Sequence, residues 1–242
     1  MSEEGKERAG RGAAEALASL EESLRECSLC GLCRGRTQVV FGVGNPEAGL
    51  MFVGEGPGFH EDRQGEPFVG QAGKLLTELL GGIGLARTDV YIANVVKCRP
   101  PENRDPLPDE IETCSPHLMK QVSIIRPKVI CTLGRFATKL LAATDQSMSS
   151  VHGRAKERSL AGVDTIIFPV FHPAAALYTP ANRQVLEEDF AKLRFLLEHG
   201  LNPSGTETAG TDDRSGSYDR PVADRRKRPG ESPERQEQLH LW

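Results

Sequence analysis

At 242 residues the chain is long enough for one well-buried α/β domain and a tail. Its formal net charge of −4 excludes a histone-like, broadly basic nucleic-acid binder, because sequence-independent affinity for DNA comes from Lys and Arg neutralising phosphates. No stretch approaches the ~18 apolar residues of a membrane span, and the start, MSEEGKERAGRG, lacks the apolar core of a signal peptide, so a cytoplasmic protein is expected.

Residues 1–13 are polar and contain glycine, and they read as a flexible start. AEALASLEESLRE then places Ala and Leu at helical spacing over residues 14–26. Cys27, Cys30 and Cys33 follow as C-x2-C-x2-C, while Cys98 and Cys114 frame a Pro-rich loop, CRPPENRDPLPDEIETC. A reducing compartment makes metal binding or core packing a better use of these thiols than disulfides. Four of the five can bind one metal centre. A structural zinc site uses two tight knuckles, whereas the second pair here is widely separated, so the spacing favours an iron–sulfur cluster. A ferredoxin is a poor fit, because Arg36 or Thr37 stands where the run's fourth cysteine belongs. Cys131, inside the apolar VICTLG, reads as a small buried hydrophobe.

From Leu50 to about His199, apolar runs alternate with amphipathic stretches: LMFVGEG, KLLTELLGGIG, VYIANVVK, a helix from about Asp109, KVICTLG, FATKLLAA, TIIFPVF and a helix from about Gln184. Strands that are continuously apolar belong to a parallel sheet covered on both faces, which predicts a three-layer α/β/α domain over residues 14–200. Residues 201–242 have almost no aliphatic side chains until the last five, and they read as a disordered tail.

Strand LMFVGEG runs into GEGPGFHEDRQGEPFVGQAGKLL, where Gly54, Gly56 and Gly58 allow a tight turn and close approach to a ligand. Neither a P-loop nor a dinucleotide fingerprint is present. Glu55, Glu61 and Asp62 lie close in sequence to Phe68, a combination suited to activating water beside a stacked planar base, although loop carboxylates are also commonly just solvated. His172 in FHPAAAL and Asn94 in VYIANVVK fall at strand C-terminal ends, like the glycine turn. Three separate segments therefore converge on the sheet edge where α/β proteins bind ligands.

GEGPG-x2-ED-x2-GEPFVG-x-AG-x-LL, YIANVVKCRPPENR-x-PLP and FHPAAAL together resemble the family 4, iron–sulfur-containing uracil-DNA glycosylases, over about Cys27 to Leu197. The resemblance implies a four-stranded parallel sheet and a [4Fe-4S] cluster on Cys27, Cys30, Cys98 and Cys114, with Cys33 left over. It also implies monofunctional repair: uracil is flipped out of DNA and its N-glycosidic bond is hydrolysed, leaving an abasic site. Glu55, Gly56, Pro57, Gly58, Glu61, Phe68, Asn94 and His172 would surround the base. By this resemblance Phe68 stacks on the ring, Asn94 pairs with the edge that distinguishes uracil from cytosine, His172 donates to the developing oxyanion, and Glu55 positions water and stabilises the cationic sugar. The catalytic Asp and thymine-blocking Tyr of family 1 enzymes are replaced by Gly56 and Gly58. Glu61 is the candidate second carboxylate, either closing the pocket against a thymine methyl or helping to hold water.

Where many relatives read Leu-Leu-Arg-Asn-Pro after the histidine, this chain has Ala176-Leu177-Tyr178-Thr179-Pro180, which removes one basic contact to DNA and keeps Leu177 as a wedge. The compact PPENRDPLP loop and Gly56 match no cross-linking subfamily. A non-catalytic iron–sulfur module for DNA binding or redox sensing would share the cysteines and need neither Phe68, Asn94 nor His172. The last residues, Gln238-Leu239-His240-Leu241-Trp242, resemble the Gln-Leu-x-Leu-Phe peptide with which bacterial repair proteins dock on the sliding clamp. Folding back of Leu239, Leu241 and Trp242 onto the domain is the alternative. A monomer in the cytoplasm, associated with the nucleoid, is expected.

Overall fold

The structure, a computed structural model, describes residues 3–177 and 179–201. The expected tail, including Gln238, Leu239, Leu241 and Trp242, lies outside the described residues, as does Tyr178. The chain opens with α1 (Glu3–Leu24), then β1 (Val43–Gly44), β2 (Leu50–Gly54), α2 (Phe59–Gln64), α3 (Gln71–Gly82) and β3 (Tyr91–Asn94). It continues with α4 (Pro108–Ile125), β4 (Val129–Leu133), α5 (Arg135–Ala142), α6 (Met148–Val151), β5 (Lys156–Leu160), β6 (Val163–Val170) and α7 (Pro180–His199). Among the described residues no helix is long and apolar enough to cross a membrane.

The helix α1 reaches into the stretch read as a polar start. Its first residues lack an apolar stripe, but Glu, Lys, Arg and Ala are good helix formers, and the glycines each cost only about 1 kcal/mol.

The sheet has six strands in the order β1-β3-β2-β4-β6-β5. Its four central strands are parallel, as expected, with Gly54 opposite Asn94 and Leu133 opposite Val170 at their C-terminal ends. The expectation of four strands in all is corrected by two antiparallel edge strands, β1 on β3 and β5 on β6. β1 is two residues long and β5 reads KERSL, half exposed and charged. Neither carries an apolar run, and both suit edges, where charge discourages further pairing.

Alternation along the central strands sends side chains to two cores. Met51, Val53, Tyr91, Ala93 and Ile130 pack with Leu17 and Leu24 of α1 and Leu118 and Val122 of α4. Leu50, Phe52, Ile92, Cys131 and Leu133 pack on the other face with Leu76 and Leu80 of α3 and Phe190 and Leu193 of α7. Phe52 and Phe190 stack with ring centroids 5.9 Å apart. Cys131 is fully buried in this second layer. The three-layer α/β/α arrangement follows, and it aligns the ends of β2, β3 and β6 along one edge.

Candidate active site

At the end of β2 an added Cβ on Gly54 would lie 2.5 Å from Asn94 Oδ1 and 2.6 Å from Phe68 Cζ. Only glycine leaves this gap between amide and ring open. Asn94 is 1% exposed, and its Oδ1 is buried without a hydrogen-bond partner. Leaving such an acceptor unpaired costs about 1–3 kcal/mol.

Phe68 closes the other side, its ring centroid 5.6 Å from that of His172. It sits in the left-handed region at φ 56°, rare for a bulky residue and costing of order 1–3 kcal/mol. The surroundings enforce it. Arg87 donates to Pro67 O at 2.9 Å and Phe68 O at 3.1 Å, while Glu61 Oε1 accepts from the N–H groups of Val69 and Gly70 at 2.9 Å each. The backbone of Phe68 also rests on Gly73 in the first turn of α3, where a Cβ would stand 1.8 Å from Phe68 O. Glu61 therefore spends one oxygen on shaping the loop. Asp62 is buried and faces away, accepting from Thr37 N with both oxygens at 2.8 and 3.0 Å, so it pins the segment after the cysteines instead of reaching a substrate.

Gly56, Pro57 and Gly58 form the turn from β2 into α2, and Pro57 is buried. Val96 N–H donates to Glu55 O at 3.0 Å, tying this turn to the chain beyond β3. Burial, with Asp105 as a like charge, pushes the Glu55 carboxyl up to about 8, against the opposing influence of Arg135. Asp105 and Arg135 are themselves an ion pair. Asp105 is set in place by its neighbour Arg104, which grips Glu110 at the start of α4 through two hydrogen bonds of 2.9 and 2.7 Å.

His172 follows β6. Its Nδ1 accepts from Ala174 N at 3.2 Å, so the neutral ring carries its hydrogen on Nε2. Burial lowers its pKa to about 4, which keeps it neutral at ordinary pH. The site thus combines a carboxyl group poised near neutrality, a buried amide, an aromatic ring and a neutral imidazole donor.

Behind Asn94 lies a buried network that sequence reasoning missed. Lys97 Nζ donates to Asn94 O at 2.9 Å and to Gln121 Oε1 at 2.6 Å, and Gln121 Nε2 donates to Tyr91 Oη at 3.2 Å and Phe41 O at 3.0 Å. The available signal was a lysine closing the apolar run VYIANVVK. Arg87 had no comparable signal, because its partners are main-chain carbonyls.

The cysteines gather on the α1/α4 face. Cys98 and Cys114 are buried there, with Cys27 and Cys30 packed against the same cluster. Burial raises the Cys98 thiol to about 11, with Cys114 and Cys30 as additional like charges and Arg36 opposing. Cys114 is likewise raised by burial and feels Cys30 and Cys27. Arg36 Nη1 donates to Cys98 Sγ, and Lys97 N–H donates to Cys114 Sγ, both at 3.3 Å. The Arg36 guanidinium is favoured by Cys98 first and also by Cys27 and Cys33. Among the described residues no group of three or more His, Cys, Asp or Glu is gathered tightly enough for a single metal ion.

The C-terminal ends of the parallel central strands thus bring Glu55, Asn94 and His172 to one edge of the sheet, with Phe68 against Gly54. A profile of the Uracil DNA glycosylase superfamily matches residues 41–194. The chain is 49% identical over 187 residues to a type-4 uracil-DNA glycosylase of Sulfurisphaera tokodaii, covering 75% of this chain and 85% of that one. It is also 49% identical to those of Saccharolobus solfataricus, over 72% of this chain and 83% of the relative, and Archaeoglobus fulgidus, over 72% and 92%. The chain belongs to the uracil-DNA glycosylase superfamily and, within it, to the type-4 enzymes.

Proposed function

We propose that this protein is a DNA-repair hydrolase that takes uracil out of the helix into the Gly54–Phe68–Asn94 gap and cleaves its bond to deoxyribose. The orphaned Asn94 Oδ1 carries the reading. Uracil presents an N3–H donor that satisfies this acceptor, with O4 beside it for the amide NH2, whereas cytosine presents an acceptor and a donor in the reverse order. The flipped base stacks on Phe68, and the interactions gained offset an unstacking cost of roughly a few kcal/mol.

As the C1′–N1 bond breaks, uracil leaves with the electron pair and its charge collects on O2. His172, neutral and with its hydrogen on Nε2, donates to that oxygen. Glu55 as carboxylate faces the cationic sugar, takes a proton from water and leaves the hydroxyl to bond C1′. The uracil anion takes up a proton from solvent, and Glu55 releases the proton it gained to solvent. Glu61 acts by holding the Phe68 loop closed, and Leu177, 38% exposed beside the turn that follows His172, fills the gap in the duplex.

A [4Fe-4S] cluster on Cys27, Cys30, Cys98 and Cys114 fits the donor set. Four neighbouring thiols, two N–H donors to sulfur and the positive charge of Arg36 suit a polynuclear anionic centre. When bound, the cluster supplies a structural tie and no step of the hydrolysis. A non-catalytic module would have no use for the orphaned amide. From the sequence alone, Gln238, Leu239, Leu241 and Trp242 are proposed to dock on the sliding clamp. Deleting residues 238–242 is expected to abolish clamp binding in a pull-down and leave excision from a short oligonucleotide intact.

The test of base choice is excision from oligonucleotides carrying uracil, thymine or cytosine, read by alkaline cleavage of the abasic site. The wild type is expected to cut at uracil alone and Asn94→Asp to lose most of that activity. Unchanged uracil kinetics in Asn94→Asp would remove the amide from the pocket.

A further inference from the structure

Phe59, the first residue of α2, is 45% exposed. Two guanidinium groups converge on its ring: Arg99 Cζ lies 5.1 Å from the centroid and Arg63 Cζ 5.5 Å. His60 meets it edge-on at 5.5 Å. A core-forming phenylalanine would be covered, and a solvated arginine pair would repel itself. Here ring and cations hold one another, and Arg99 is further fixed by donating from Nε to Asn103 Oδ1 at 2.7 Å.

The cluster sits beside the uracil pocket. Phe59 follows the turn Gly56-Pro57-Gly58, and Glu61, on the same short helix, holds the loop that carries Phe68. Arg99 precedes Pro100, whose Cδ is 3.7 Å from where a Cβ on Gly56 would stand. An apolar ring with two cations beside it matches the chemistry of one nucleotide, a base with a π-face and an attached phosphate. In a chain of net charge −4, such a patch gives the local attraction that overall charge does not supply.

We propose that Phe59, Arg63 and Arg99 form a platform for the nucleotide next to the flipped uridine, its base resting on the ring and its phosphate taken by the guanidiniums. This rests on the reading that the neighbouring pocket holds uracil. The platform leaves the reacting bond alone. It binds the strand equally well in the ground and transition states, so its loss falls on KM and not on kcat.

The experiment uses the full-length, cluster-loaded protein and Phe59→Ala, Phe59→Trp and Arg63→Gln variants, each checked by melting temperature and iron content. Phe59→Ala is expected to raise KM for a uracil oligonucleotide about tenfold, the scale of losing one base–aromatic stack, with kcat within about threefold. Phe59→Trp is expected to keep the wild-type KM. Arg63→Gln is expected to lower the slope of log Kd against log salt by about 1, as for one phosphate contact. Stacking is read directly from 2-aminopurine placed on either side of 2′-fluoro-2′-deoxyuridine, whose fluorine slows base loss. The wild type should quench one of the two probes, and Phe59→Ala should restore that fluorescence. Equal KM, equal fluorescence and an unchanged salt slope in the variants would overturn the platform. Probe quenching and salt slope need no excision, so a protein that quenches through Phe59 and releases no uracil would support the platform and contradict the pocket.

Discussion

In the proposed mechanism Glu55 must lose its proton to activate water, and burial pushes its carboxyl up to about 8. The rate constant kcat/KM for excision should therefore rise with pH through a limb near that value, while His172, lowered to about 4, stays neutral throughout. Asp105 raises the Glu55 pKa and Arg135 lowers it, so Asp105→Asn should move the limb to lower pH and Arg135→Gln to higher pH. Limbs that coincide in both variants would show that another group titrates. The same shift has a sign for stability. A raised folded-state pKa means that the native protein holds a proton which the unfolded chain releases near 4.5, and the stabilisation this confers is lost as pH rises towards about 8. Glu55→Gln carries no charge at any pH, so its melting temperature relative to wild type should climb across that window. A constant difference between the two would contradict the burial argument.

At the scale of elements, α3 offers a paired test of how the site is built. Gly73→Ala would put a methyl group against the carbonyl of Phe68, and the loop must move. It should cost on the order of 1–3 kcal/mol and at least tenfold in excision. Gly81 lies in the same helix with nothing near its missing Cβ, so Gly81→Ala should stabilise by about 0.5–1 kcal/mol through helix propensity alone. Thermal melts and excision rates on the two variants separate the packing role from the helix. The central strands were legible because apolar runs ended in glycine, asparagine or a turn at one common edge. The edge strands β1 and β5 were not, since pairing with β3 and β6, and no apolar pattern, makes them strands. Phe68, Asn94 and His172 stood in recognisable motifs. The loop anchors Arg87 and Lys97 and the electrostatic partners of Glu55 did not, because Arg87 reaches main-chain carbonyls of a distant loop, Lys97 pairs with Gln121 in α4, and Asp105 and Arg135 lie far along the chain from Glu55.

For the molecule as a whole, the proposed cluster would join the end of α1 to the loop before α4, where Arg36 already donates to Cys98 Sγ, and Thr37 donates to Asp62 of α2. Cys98→Ala is expected to lose iron and solubility together, whereas Cys33→Ala should keep about four iron atoms per chain, as a single cubane requires. Iron analysis and visible absorbance of the two purified variants decide this, and full glycosylase activity in an iron-free, folded Cys98→Ala protein would contradict a structural tie. The most direct test of the uracil-excising pocket is the single-turnover rate of base loss from a uracil-containing oligonucleotide, compared between wild type and His172→Ala of equal iron content. The pocket predicts an abasic product at uracil for the wild type and a rate lower by roughly 10²–10³-fold for His172→Ala, the scale of removing one oxyanion donor. No abasic product from the cluster-loaded wild type, or a loss below about tenfold in the variant, would contradict it.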